Sequence, residues 1–444
     1  MAVVPEPGAW TTPSAEGATR GFVFASDLAR ALGSDTIERV RAEVPVAELG
    51  TLKLRLVKFR GVAPDVRVEI AGAQKARALE LSALAQGLVH LEGKVDGYAG
   101  SSCYLAFGST GAAGWIDLGD GRGHFTLRRV GSDVRGLCAG TVEFARASGT
   151  SAPDVPTCGG ALEAGDGGTA GFGTLQAGVR PVVELAVDMD YDMRANFASN
   201  EAATEYTGAL VGAVSAIYRR DVGASVQLVY LRIYNDPADL FNEPDPLGPF
   251  RDYWESAGGK VDRDLFTLFT GRRNLPYGGV AWLSAACGSY GYSVNGYLNG
   301  VFADPVATNP GNWDINVVAH EIGHNVGTLH THDYSIDGCA SGTVQRGTIM
   351  SYCHVVSGAS SNIDLRFHRG TAVPIESFMA GAACLASDCN DNGIEDAEEI
   401  AASPALDGNG DQILDACQDC DSNGVPDPVQ IASGAAADAD GDGR

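Results

Sequence analysis

Residues 320 to 330 read His-Glu-Ile-Gly-His-Asn-Val-Gly-Thr-Leu-His. A helix advances about 100° per residue, so His320 and His324 fall on one face, one turn apart. Gly327 can take backbone angles that other residues avoid, which lets the chain leave the helix there and swing His330 round. Three neutral imidazoles suit Zn2+ and leave one position of a tetrahedral ion open for water, as catalysis requires. Glu321 sits beside the first imidazole and is placed to take a proton from that water. The expected chemistry is hydrolysis by a zinc-activated water with Glu321 as general base.

Such a site needs a buried helix to hold it. Trp313, Ile315, Val318, Ala319, Ile322 and Val326 form an apolar stripe at helical spacing, so a helix starting near Asn312 should pack on a core. Upstream, residues 181–187, 226–233, 264–270 and 279–284 read as strands, and 200–220 as a helix. A last helix should precede Cys384. This order predicts an α+β domain with a mixed sheet over the site. The strand from Gly279 would be an edge that binds an extended peptide by β-addition.

The five fixed residue types between His320 and His330 resemble the extended metzincin signature. Gly347-Thr348-Ile349-Met350-Ser351-Tyr352 resembles the Met-turn that accompanies it, with Met350 as a soft floor under the histidines. Astacins and serralysins carry a tyrosine at the position of Tyr352. Its phenol either reaches the metal or the developing oxyanion, or is a packed aromatic with a satisfied hydroxyl. The core of the motif most resembles the adamalysin or reprolysin group. That group usually has Asp directly after the third His, where this chain has Thr331, with Asp333 two residues on. The resemblance runs over residues 178–384 and implies a zinc metalloendopeptidase acting on protein and peptide substrates.

Residues 1–177 carry no catalytic constellation. Alternating stretches at 52–59, 89–95, 103–107 and 124–128 read as strands between Gly-rich turns, and resemble the β-rich prodomain of adamalysin-type zymogens. Residues 150–178 read as a linker. Within it, Cys158-Gly159 resembles a cysteine switch, in which a thiolate fills the open zinc position and the prodomain acts as inhibitor. The alternative is a disulfide from Cys158 to Cys103 or Cys138. Pairing Cys103 with Cys138 leaves Cys158 free for the metal and is the preferred split. Further on, Cys287 is expected to pair with Cys384, and Cys339 with Cys353.

Residues 385–444 form an acidic repeat. From Cys384 onward there are fifteen Asp and Glu against one Arg, which holds more than half of the chain's net charge of −25. Asp388, Asn390, Asn392 and Asp396 return 31 residues later as Asp419, Asp421, Asn423 and Asp427. Between them, Asp407, Asn409, Asp411 and Asp415 follow the same scheme, which begins again at Asp438. Oxygen side chains at positions 1, 3, 5 and 9, with Gly near 6, can wrap Ca2+. The pattern resembles thrombospondin type-3 and dockerin-like loops. Cys389 and Cys420 share the period, and a Cys389–Cys417 pair would leave the partner of Cys420 beyond Arg444, so the array is expected to be truncated.

The chain of 444 residues is 45% hydrophobic, enough for two or three domains with cores. No apolar run approaches the length of a membrane span, and the negative charge excludes nucleic acid as a partner. Ten cysteines and the acidic repeats predict export to the extracellular space or cell surface, with a signal peptide already removed. The repeats would attach the protein to a surface or matrix. The leading expectation is a secreted peptidase in latent zymogen form. The alternative is a calcium-dependent surface or adhesion protein with a catalytically silent metzincin domain.

Overall fold

The structure is a computed structural model that describes residues 11–13, 21–24, 39–46, 49–72, 75–109, 112–119, 124–130, 133–138, 161–163, 178–256, 258–302, 312–357, 362–419 and 425–435. Two sheets dominate it. The first belongs to the front half. Its strands are β1 (Thr11–Pro13), β2 (Gly21–Phe24), β3 (Arg39–Val46), β4 (Gly50–Phe59), β6 (Val89–Val95), β7 (Ser102–Phe107), β8 (Ala112–Asp117), β9 (His124–Val130) and β10 (Asp133–Cys138), in the order β1-β2-β10-β9-β8-β7-β6-β4-β3. Strand β4 shows why it forms: Leu52, Leu54 and Leu56 are buried while Lys53 and Arg55 between them are exposed, the period-two pattern of a sheet with one covered face.

The second sheet has the order β11-β15-β16-β14-β12-β13-β5. Its members are β5 (Val62–Ile70), β11 (Ala161–Glu163), β12 (Val182–Met189), β13 (Ser225–Ile233), β14 (Leu265–Phe269), β15 (Gly279–Leu283) and β16 (Tyr292–Asn295). Neighbours run parallel except β15 against β16, so the sheet is mixed as expected. Both faces are covered, so Leu-Phe-Thr-Leu-Phe in β14 is buried throughout instead of alternating. Both edge strands, β5 and β11, come from the front half.

Five longer helices pack around the sheets: α1 (Lys75–Gln86), α2 (Asn200–Asp221), α3 (Leu247–Ser256), α4 (Trp313–Asn325) and α5 (Arg369–Gly381). Ser199 caps α2 by accepting a hydrogen bond from Ala202 N at 3.2 Å. Every residue from Thr207 to Arg219 is buried. Apart from Arg219 the stretch is small or apolar all round, because it has protein on all sides. One hydrophobic core runs across the boundary expected near residue 177, joining Phe59, Val68, Leu81 and Tyr104 to Leu210, Val214, Leu231 and Ile322. Among the described residues no helix is long and apolar enough to cross a membrane.

The disulfides Cys287–Cys384, Cys339–Cys353 and Cys389–Cys417 form as expected. The Cys103–Cys138 pairing does not. Cys103 is a buried free thiol on β7, and Cys138 ends β10. Strands β8 and β9 lie between them. Three strand spacings come to about 14 Å, twice the reach of a disulfide, about 7 Å between Cα atoms. Burial, with Asp117 nearby, pushes the Cys103 thiol up, so it stays protonated. Cys158 lies outside the described residues.

Candidate metal centre

Helix α4 carries the first two imidazoles, and all of its residues are buried. Ile315, Val318 and Ile322 anchor it in the core, and Trp313 Nε1 donates to Gly296 O at 2.8 Å. The helix ends at the glycine expected to end it. Gly327 has φ +102°, which only glycine adopts freely, and a Cβ there would sit 3.0 Å from Phe378 Cβ. The turn brings the third imidazole back. His324 Nε2 and His330 Nε2 are 3.1 Å apart, and one ring nitrogen from each of His320, His324 and His330 lies within 4.8 Å of the others.

Backbone carbonyls aim two of the rings. His320 Nδ1 is 2.7 Å from Ile349 O, and His324 Nδ1 is 2.8 Å from Thr328 O. A carbonyl only accepts, so each Nδ1 carries the proton and each Nε2 presents a lone pair. His320 Nε2 is buried without a hydrogen-bond partner. Burial lowers the pKa of His324 to about 4. Burial, and then the neighbouring histidines, holds His320 and His330 well below the usual range. Three neutral nitrogens therefore face one buried point. Two nitrogens on a tetrahedral zinc, each about 2.0–2.1 Å away, stand about 3.3 Å apart, close to the 3.1 Å separation here. The donor set fits zinc.

Met350 lies fully buried beneath α4, and a Cβ on Gly323 would come within 2.8 Å of its Sδ. Its carbonyl accepts from Thr331 N at 3.0 Å. The displaced acid finds the third histidine after all: His330 N donates to Asp333 Oδ2 at 3.1 Å, and that oxygen lies 3.6 Å from His330 Nδ1. The half-buried Tyr352 packs its ring centroid 4.5 Å from that of His330 and 4.9 Å from that of His332. Glu321 is fully buried, with its carboxylate against Gly279 at the start of β15.

Several site features have no signature in the motif. Ile349 O and Thr328 O are backbone atoms, which no side-chain pattern reveals. His332 stacks on His330 at 5.1 Å, and His354 packs on Trp313 at 5.2 Å. Gly279 opens strand β15, which is not the edge expected from sequence because β11 pairs outside it, and the reason for a glycine there appears only when Glu321 is seen against it.

The acidic loops repeat one hydrogen-bond scheme. Asp388 accepts from the backbone N of Asn392 and Gly393, Asn390 from Asn392 N, Asn392 from Ile394 N, and Asp396 from Cys389 N. Asp407 accepts from Asp411 and Gln412, Asn409 from Asp411, Asp411 from Ile413, and Asp415 from Gly408. Asp419 and Asp427 are described at the ends of the third loop, while Asp421 and Asn423 lie outside the described residues. Asp391, which is not one of the four expected ligands of its loop, bonds Arg219 at 2.7 Å and Arg180 at 3.3 Å.

The contact between Glu321 and Gly279 yields a test. A Cβ at residue 279 would fall on Glu321 Oε1 and within 2.8 Å of Val317 Cγ2. Gly279→Ala should leave bound zinc unchanged while kcat for peptide hydrolysis falls about 10- to 100-fold, the cost of moving a reacting group by an ångström. Unchanged kcat would show that Gly279 does not position Glu321.

The family model described as Metallo-peptidase family M12 (Reprolysin_5) matches residues 180–365. Disintegrin and metalloproteinase domain-containing protein 1a of Mus musculus is 26% identical over 243 residues, covering 51% of this chain and 28% of that protein. The chain thus spans under a third of that relative's length. Among solved structures, metalloproteinase-II from Bacteroides fragilis aligns at 11% identity and TM-score 0.45, over 80% of this chain and 95% of that one. Archaemetzincin from Methanopyrus kandleri aligns at 15% identity and TM-score 0.29, over 44% and 94%. Residues 180–365, which bear the three imidazoles and Glu321, thus resemble a metzincin-type zinc metalloprotease of the M12 kind.

Proposed function

We propose that the protein is a secreted endopeptidase held latent by its own front half, with Glu321 as the general base. The observation that carries the catalytic part is the convergence of three neutral imidazoles beside a buried carboxylate at the start of strand β15. A zinc ion bound there would supply Lewis acidity toward a peptide carbonyl and a nearby water. Glu321 takes the proton of that water as its oxygen attacks the scissile carbonyl carbon. The same carboxylate then gives the proton to the leaving amide nitrogen as the C–N bond breaks. Tyr352, whose ring packs against His330, is the proposed donor to the developing oxyanion. Strand β15 would bind the extended substrate by backbone pairing.

Latency draws support from that same strand. Strand β11 pairs with β15 in parallel register, Ala161 with Ala281, Leu162 with Trp282 and Glu163 with Leu283. An incoming peptide must displace it. Cys158, three residues before β11, is the proposed occupant of the fourth metal position. The three disulfides agree with an oxidising, extracellular compartment. The repeated scheme in the two acidic loops supports structural Ca2+ bound by the four ligands proposed for each loop, with the loop at Asp419 a third site. Burial raises Asp388 to about 6, a strain that a bound cation would relieve. The repeats would hold the protein at a surface or matrix.

Glu321→Ala should keep zinc and lose casein hydrolysis by about 10²- to 10⁴-fold, with Tyr352→Phe losing less. Full activity in zinc-loaded Glu321→Ala would sink the assignment, and a chain that stays inactive after cleavage past the linker would favour the silent-domain alternative. Cys158→Ala should raise the activity of the uncut chain. No rise, with Cys158 found in a disulfide by peptide mapping, would replace the switch. Native mass spectrometry should show calcium retained by the chain and one ion fewer in Asp407→Asn. A chain that retains none excludes structural calcium.

A further inference from the structure

The front half is built into the peptidase, not laid upon it. Strand β5 extends the catalytic sheet beyond β13, with Tyr230, Leu231, Arg232 and Ile233 paired to Arg67, Val68, Glu69 and Ile70. Gly61 and Ala71 continue the ladder at 3.1 and 2.9 Å. On the adjacent face, α2 presents Gly208 and Gly212 as a groove. Leu88 fills the place of a Cβ at Gly208, and His90 with Tyr104 fills it at Gly212. A Cβ on Gly61 would stand 2.9 Å from Gly212 Cα, so the two backbones are in near contact. Tyr104 Oη donates to Ala209 O at 2.7 Å within α2.

Polar contacts close the rim. Ser109 N donates to Glu205 at 2.7 Å, and Tyr230 Oη donates to Glu69 at 2.9 Å. Arg219, its side chain 3% exposed, pairs with Glu92 of the front half at 2.8 Å and with Asp391 of the first acidic loop. Losing the front body would bare the hydrogen-bonding edge of β13 and the two-glycine groove. It would also leave a buried guanidinium with one partner fewer, and each of these changes is costly. Strand β11 differs: it is three residues long and lies at the opposite edge.

We propose that residues 39–118 are a permanent part of the mature peptidase, and that activation removes only the segment around β11. This regulation rests on the latency reading above, but retention of the front body stands on the shared core and sheet. Two specific-protease sites, one between residues 140 and 157 and one between 165 and 176, would excise that segment from the full chain. Cys138→Ser ensures that Cys138 forms no disulfide between the fragments. After cutting, the front fragment should co-elute with the catalytic fragment in native size exclusion, at low salt and at about 1 M NaCl, because apolar contacts are not screened. Hydrogen exchange over residues 225–233 should match that of the uncut chain. Casein hydrolysis should rise at least tenfold. Separation of the front fragment, or fast exchange in 225–233, overturns retention. Retention without a rise in activity supports the permanent front body and overturns the latency reading, and with it activation by removal of the β11 segment.

Discussion

Three imidazole lone pairs aimed at one buried point repel one another, and they persist only if the protein holds each ring from behind. Two backbone carbonyls do this. Ile349 O takes the proton side of His320, and Thr328 O that of His324. Both carbonyls come from chain that must itself be held, one in the turn around Met350 and one in the turn that begins at Gly327. The positive φ of Gly327, the close fit of Met350 beneath Gly323 and the complete burial of α4 all serve that aim.

Burial has a cost that this chain meets with partners. A helix enclosed like α2 must have protein on every side, and the region from 178 onward covers only part of it. The front half covers the rest, with β5 at the sheet edge and Leu88, His90 and Tyr104 over the two glycines. The position of the metal-binding helix therefore depends on strands more than two hundred residues earlier. Arg219 shows the coupling in one side chain, since its two carboxylates come from the front sheet and from the first acidic loop.

Much of this was legible in advance, for identifiable reasons. Strands β4, β6, β12, β13 and β14 and helices α2 and α4 were found because their apolar spacing is regular or continuous. The disulfides Cys287–Cys384 and Cys339–Cys353 were also foreseen. The Cys103–Cys138 pair failed because strand order decides distance, and sequence adjacency of strands says nothing of the two that intervene. Strand β5 and helix α1 were passed over. Val62–Ile70 carries Pro64 and Asp65 within its first half, which hides its alternation.

The amino-acid order alone determined the chemistry. Side-chain identity sets what can bind a metal or carry a proton, and the local period of one helix and one glycine sets which of those groups can meet. The tertiary structure decided what acts on that chemistry. It chose the carbonyls that fix the tautomers and placed Glu321 over a residue with no side chain. It also laid β11 on the edge of β15 and merged the front half into the catalytic sheet. Those are contacts between backbones and between distant segments, and backbone groups are alike in every residue, so no pattern of side chains can announce them.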